Sequence, residues 1–185
     1  YNKNYGVNLM KNNTIIGLDC STSATGYSVF DRNGLIAYGV IKPKSKDWRE
    51  RIEELSVKLS EIFIKYRPVR AYIEDVPLKP GNSTILKLGA VQGMVLAVCA
   101  QYNCRPNFLL PSDWRGELGL YDGTRQGTHR DVLKQKAVQT VNDEFGIKLK
   151  WVAPKSKLNE DDTAEAILIA YSQILKWKNS QNHRT

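Results

Sequence analysis

Apolar and polar positions along the chain fall into two periods, one of two residues and one of three to four, and together they predict five strands and four helices. Residues 14–19, Thr-Ile-Ile-Gly-Leu-Asp, form a short apolar run that ends on a carboxylate. Gly26–Phe30 and Leu35–Ile41 are further strand-like runs, with Asp31-Arg32-Asn33-Gly34 between them as a hairpin turn. This is an antiparallel three-stranded opening. A loop bearing Lys42, Lys44 and Lys46 leads to Asp47, placed as a helix N-cap. Ile52, Leu55, Leu59, Ile62, Phe63 and Tyr66 then recur at threes and fours, an amphipathic helix ended by Pro68. Ala71-Tyr72-Ile73-Glu74 reads as a fourth strand, again finishing on a carboxylate.

Pro77, Pro80 and Gly81 break the chain before a second helix over residues 83–102. From Leu88 to Ala100 it is apolar on nearly every side, so more than one of its faces is covered. Gly89, Gly93 and Ala97 lie four apart and permit close backbone approach. One face packs on the sheet; the other is either the seam of a dimer or a surface covered by the chain's own last helix. Asn107–Leu110 reads as a fifth strand, and Pro111–Gly127, polar and rich in glycine, as a loop over the site. A third helix runs from about Thr128 to Phe145, and the last from Asp161 through Ile174. The order β-β-β-α-β-α-β-α-α specifies an α/β fold, a five-stranded mixed sheet flanked by helices. Residues 1–13 are expected to be a flexible extension, 14–178 a single domain, and 179–185 a tail. Met10-Lys11 has the look of a natural start.

Composition narrows the class. With 42% hydrophobic and 25% charged residues, the 185-residue chain has globular proportions and suits one domain. No apolar run approaches the ~20 residues of a membrane span, and the Asn-rich opening has no apolar stretch of the signal-peptide kind. Three scattered cysteines and two histidines argue against a disulfide framework and against a Cys/His zinc site. The expectation is a soluble protein of the cytoplasm. The net charge of +8 and pI near 9.4 suit a polyanionic partner such as nucleic acid. That excess is spread along the chain, so a basic surface has to be assembled by folding.

The acids are less evenly placed. Two strands end on Asp19 and Glu74, and one helix opens with Asp161, Asp162 and Glu165. Strand-terminal acids can converge at one end of a sheet, and Asp162 and Glu165, three apart, share a helix face. Clustered hard oxygen donors suit Mg²⁺ or Mn²⁺ better than zinc or copper, and a divalent ion relieves their mutual repulsion. Taken singly, each has an ordinary explanation: acids favour the first turn of a helix, and a strand often ends on a solvated carboxylate.

The combination has a familiar order. Ile16-Gly17-Leu18-Asp19 with Thr25-Gly26-Tyr27-Ser28-Val29 resembles the opening of RuvC-type Holliday junction resolvases. Ile73-Glu74-Asp75-Val76 resembles their second motif, and Leu86-Lys87-Leu88-Gly89 with Gln92-Gly93 the helix after it. The run from Asp162 to Ala170 resembles their closing acid-x-x-acid helix. Asp19-Cys20-Ser21-Thr22 stands where bacterial members have Pro-Gly, which is more like the bacteriophage branch.

The resemblance implies an RNase H-like fold, a homodimer with its seam on the 83–102 helix, and paired metal-dependent nicks in branched DNA. By position, Asp19, Glu74, Asp162 and Glu165 would hold two Mg²⁺ or Mn²⁺ ions: Asp19 bridging, Glu74 on one ion, Asp162 and Glu165 on the other. Glu165 departs from the usual Asp, and exchange of Asp162 with Asp161 stays open. Arg130, Arg115 and Lys134 are candidates for the cation that assists at the phosphate, Arg130 being counted with the catalytic set. For Lys134 an ordinary exposed side chain is the favoured reading. Lys79, Arg115, Arg125, Arg130 and Lys134 form the expected DNA-contacting set. Bacterial members place a base-probing aromatic residue where this chain has Pro77, which implies relaxed sequence specificity on three- and four-way branches. Cys20 is assigned to the core.

Two rival readings remain. One is a non-catalytic protein that binds branched DNA on the same fold. The other takes Gly17-Leu18-Asp19 through Asp31 as the first phosphate loop of actin-like sugar kinases, which also need a second lobe and a second glycine-rich motif.

Overall fold

Alternation along the first strand sets the two sides of the molecule. In β1 (Thr14–Cys20) Ile16 and Leu18 point to one face of the sheet, and Ile15, Gly17 and Asp19 to the other. The computed structural model describes residues 13–75 and 82–182. β1 lies at the centre of a mixed sheet with β2 (Thr25–Asp31), β3 (Gly34–Ile41), β4 (Pro68–Glu74) and β5 (Arg105–Leu109), in the order β3-β2-β1-β4-β5. The β1–β2 and β2–β3 pairs are antiparallel, and β1–β4 and β4–β5 are parallel. Because β1 and β4 run together with Leu18 opposite Ile73, their terminal acids Asp19 and Glu74 come out side by side.

One face is covered by α1 (Trp48–Tyr66) and α2 (Asn82–Gln101). Ile16, Leu18, Val29 and Ile73 pack there against Leu59, Phe63, Val91 and Val95, all nearly inaccessible to solvent. Asp47 caps α1 by accepting from the N–H groups of Arg49 (2.7 Å) and Glu50 (3.3 Å). At the far end Arg67 takes a left-handed conformation (φ 49°), so that Pro68 opens β4 instead of merely stopping the helix.

The other face carries α4 (Arg130–Phe145) and α5 (Asp161–Asn182), with Ile15 and Phe30 packed among Leu133, Ala137, Ile167 and Leu168. Since α5 lies across the sheet from α2, it does not cover the outer face of that helix. Leu86 (61% exposed), Gly89, Gly93 and Leu96 (43%) stand in solvent there. Helix α5 also runs to Asn182, past Ile174 and into the segment expected to be a tail.

Two glycines let α5 press directly onto the strands. A Cβ at Gly17 would stand 2.2 Å from the carbonyl oxygen of Ala166, and one at Gly26 only 1.9 Å from that of Asp162. Between them Ser28 Oγ donates to the Ala166 carbonyl at 2.8 Å. Only residues without a side chain fit at these contacts, and they bring the first turn of α5 over the end of β1.

The stretch Pro111–Gly127 is not the loop its composition suggested. It holds α3 (Pro111–Glu117) and leads into a 3₁₀ turn, Gln126–Thr128. Proline suits the first turn of a helix, where its missing N–H has no partner to lose. Trp114 then anchors α3 by complete burial against the α5 side of the core. Beyond it, the Asp122 carboxylate accepts from Thr124 N (2.9 Å) and Lys136 Nζ (2.7 Å), pinning the glycine-rich remainder. Among the described residues no helix is long and apolar enough to cross a membrane.

Candidate metal centre

Asp19 leaves β1 on the α5 side, and one turn of α5 offers Asp162 and Glu165 to it. One carboxylate oxygen from each of the three lies within 4.8 Å of the other two. Glu74, at the end of the neighbouring parallel strand, stands beside this group and is linked to it by Arg115, which donates to Glu165 Oε1 at 2.6 Å and to Glu74 Oε2 at 3.4 Å. Trp114 Nε1 donates to the same Glu74 oxygen at 2.9 Å. The acids open into a cleft of about 530 Å³, whose wall also includes Ser21, Arg115 and Arg130.

The electrostatics show a cluster short of positive charge at Asp19. Burial, then the charges of Glu165, Glu74 and Asp162, push the Asp19 carboxyl well above the usual carboxylate range, and Lys134 only partly opposes this. Burial and Glu165 likewise raise Glu74, against Arg115 and the Trp114 hydrogen bond. Burial works against the Lys134 ammonium, but Glu165, Asp161 and Asp162 outweigh it and hold its pKa above the ordinary value. Three oxygen donors from a strand end and a helix turn, with excess negative charge on the strand member, fit a hard divalent cation of the Mg²⁺ or Mn²⁺ kind.

Comparison with known proteins agrees with this geometry. Residues 15–113 match the family described as crossover junction endodeoxyribonuclease RuvC. The chain belongs to the RuvC family. A protein of that name from Lawsonia intracellularis (strain PHE/MN1-00) is 30% identical over 166 residues, 87% of this chain and 89% of its own length. Another, from Nitratidesulfovibrio vulgaris (strain DP4), is 33% identical over 93 residues, 48% of this chain. The chain spans little more than half (56%) of that relative. The fold is that of T. thermophilus RuvC, solved in complex with Holliday junction substrate (TM-score 0.68, 18% identity, 90% of this chain and 96% of that one). The mixed sheet flanked by helices is accordingly RNase H-like.

Of the basic residues singled out in the sequence, Arg115 and Lys134 reach the acids, whereas Arg130, exposed at the start of α4, lines the cleft. Arg125 is exposed at the turn before α4 and is not part of the cleft wall. Lys79, with Pro77 and Leu78, lies outside the described residues. Lys134 corrects the sequence expectation. It is a partly buried partner of three acids, its side chain 13% exposed, because α4 packs against α5 and directs it inward. Cys20 is half-buried: it touches the α1–α2 side of the core yet also lines the cleft. Sequence reasoning missed Trp114, which positions Glu74 from 40 residues away. An aromatic residue in a polar, glycine-rich stretch was the available signal.

Proposed function

We propose that this chain is a metal-dependent endonuclease that resolves Holliday junctions and other branched DNA by paired nicks. The observation that carries the reading is the convergence of Asp19, Asp162 and Glu165 in one cleft of a RuvC-family fold. Asp19, Glu74, Asp162 and Glu165 are the residues that would hold two Mg²⁺ or Mn²⁺ ions. Bound there, such ions supply an activated water and stabilise charge on the leaving oxygen.

The protein's own groups prepare the site. Glycines 17 and 26 hold α5 against the sheet, Trp114 and Arg115 fix Glu74, and Arg115 braces Glu165. Arg130 stands in the wall where a phosphate would enter. With Arg115, Arg125 and Lys79, it would give the positive field that the net charge of +8 suggests, and binding should weaken steeply with salt through counterion release.

Two copies would supply the paired nicks. The outer face of α2, with Leu86, Gly89, Gly93 and Leu96 in solvent, is the seam we assign to a homodimer. Residues 14–178 would act as one nuclease domain in the cytoplasm. Pro77 in place of an aromatic residue supports relaxed sequence specificity, and the Asp19-Cys20-Ser21-Thr22 style supports the bacteriophage branch.

The test is incubation of an end-labelled four-way junction with the parent chain and Asp19→Asn, in Mg²⁺ or Mn²⁺. Symmetric nicks at several sequences are expected from the parent and none from the variant. Binding without nicks by the parent would favour a non-catalytic junction-binding protein. Equal nicking by both would refute the site.

A further inference from the structure

Adjacent aspartates open α5, and the structure gives them different neighbours. Asp162 lines the cleft, with a carboxylate oxygen within 4.8 Å of one from Asp19 and one from Glu165. Asp161 belongs to neither group; its Oδ2 accepts from the Lys134 ammonium. The same ammonium stands 3.4 Å from Asp162 Oδ1 and 3.5 Å from Glu165 Oε2. Lys134 and Asp161 are equally withdrawn, each 13% exposed, and Lys134 does not line the cleft. A partly buried positive charge therefore sits behind two of the acids to which we assign the metal, and its nearest contact is a third acid, Asp161.

A cation bound by Asp162 and Glu165 would face this ammonium across a short, poorly solvated gap, where like charges repel strongly. How far Lys134 is held off those two carboxylates must affect how well they bind a metal. We propose that Asp161 is a positioning residue: it draws Lys134 toward itself and so limits the hold of the lysine on Asp162 and Glu165, which lets the lysine balance the acids in the metal-free protein and release them to the metal. The inference rests on Asp162 and Glu165 being metal ligands. It also divides the aspartate pair, Asp162 toward the metal and Asp161 toward the lysine. Residues one apart on a helix point about 100° from each other, which is what such a division needs.

Calorimetric titration of the full chain with Mn²⁺ alone tests this, using the parent, Asp161→Asn, Lys134→Gln and the double variant. Asp161→Asn is expected to weaken Mn²⁺ binding about tenfold, the low end of what disturbing an outer-shell partner of metal ligands, here Lys134, costs. Lys134→Gln is expected to tighten it. Adding Asp161→Asn to Lys134→Gln should change affinity by less than about twofold, because the aspartate acts through the lysine and the effects are not additive. Lys134→Arg, which keeps the charge if Lys134→Gln folds poorly, should leave the Asp161→Asn loss in place. The number of ions bound per chain should be the same in all.

An equal loss from Asp161→Asn with and without Lys134 would overturn the inference, since Asp161 would then act only as a nearby negative charge. Loss of one bound ion in Asp161→Asn would overturn it by making Asp161 a ligand, and an unchanged affinity would overturn it outright. A parent that binds no Mn²⁺ would instead refute the metal centre, and this inference with it.

Discussion

The two faces of the sheet are built on opposite terms. On the α1–α2 side the strands present Ile16, Leu18, Val29 and Ile73 to apolar helix residues. On the α5 side they present Gly17, Gly26 and Ser28, which admit a helix backbone to direct contact, and then Asp19 and Glu74. Both faces bury hydrocarbon, but at the strand ends the first does nothing else and serves stability alone. The second uses close backbone approach to bring like charges together, an arrangement that raises Asp19 and Glu74 above their usual range. Packing alone and packing joined to chemistry are thus separated by the thickness of one strand, and substitutions on the two sides should have different signatures.

The largest effect on stability belongs to the apolar face. Phe63→Ala, at a fully buried position, should cost about 3–5 kcal/mol in urea unfolding, while the folded fraction keeps the parent's Mn²⁺ affinity. A parallel loss of affinity would mean the faces are not separable.

Gly26→Ala should cost less, about 1–3 kcal/mol, yet abolish junction nicking, because its Cβ must displace the Asp162 backbone. The same change at Gly116 in α3, where a Cβ meets nothing within 4 Å, should instead stabilise the chain by up to about 1 kcal/mol through helix propensity. Equal outcomes at the two glycines would break the comparison.

The smallest effect is a slope. With its pKa raised, Asp19 keeps a proton in the folded metal-free protein that the unfolded chain has released. Stability should therefore fall as pH rises from the ordinary carboxylate range toward the raised value, and level off above it. Thermal melts of metal-free Asp19→Asn across the same range should show a shallower fall, and a higher melting temperature than the parent above it. An identical profile in the two proteins would remove Asp19 as its source.

Much of this was legible in the chain. Strand alternation and the Asp31–Gly34 turn located the first three strands, and the spacing from Ile52 to Tyr66 located α1. Acids closing two parallel neighbours and opening a helix could meet only if that helix lay on the strand ends, as Gly17 and Gly26 allow. What escaped depended on contacts distant in sequence. A seven-residue helix such as α3 is too short for a period to emerge, so Pro111–Glu117 read as loop. Lys134 looked solvated because nothing local says that α4 turns it toward Asp161. The exposed side of α2 was ambiguous for the same reason: an all-apolar helix does not announce which face its own chain covers.

The most direct test of the central claim is anomalous diffraction from crystals of the chain grown with Mn²⁺. A manganese peak is expected, bonded to carboxylate oxygens of Asp19, Asp162 and Glu165 at about 2.0–2.3 Å for a small hard divalent ion, with Asp161 still holding Lys134. Manganese bound through Asp161, or found only at sites remote from Asp19, would contradict it.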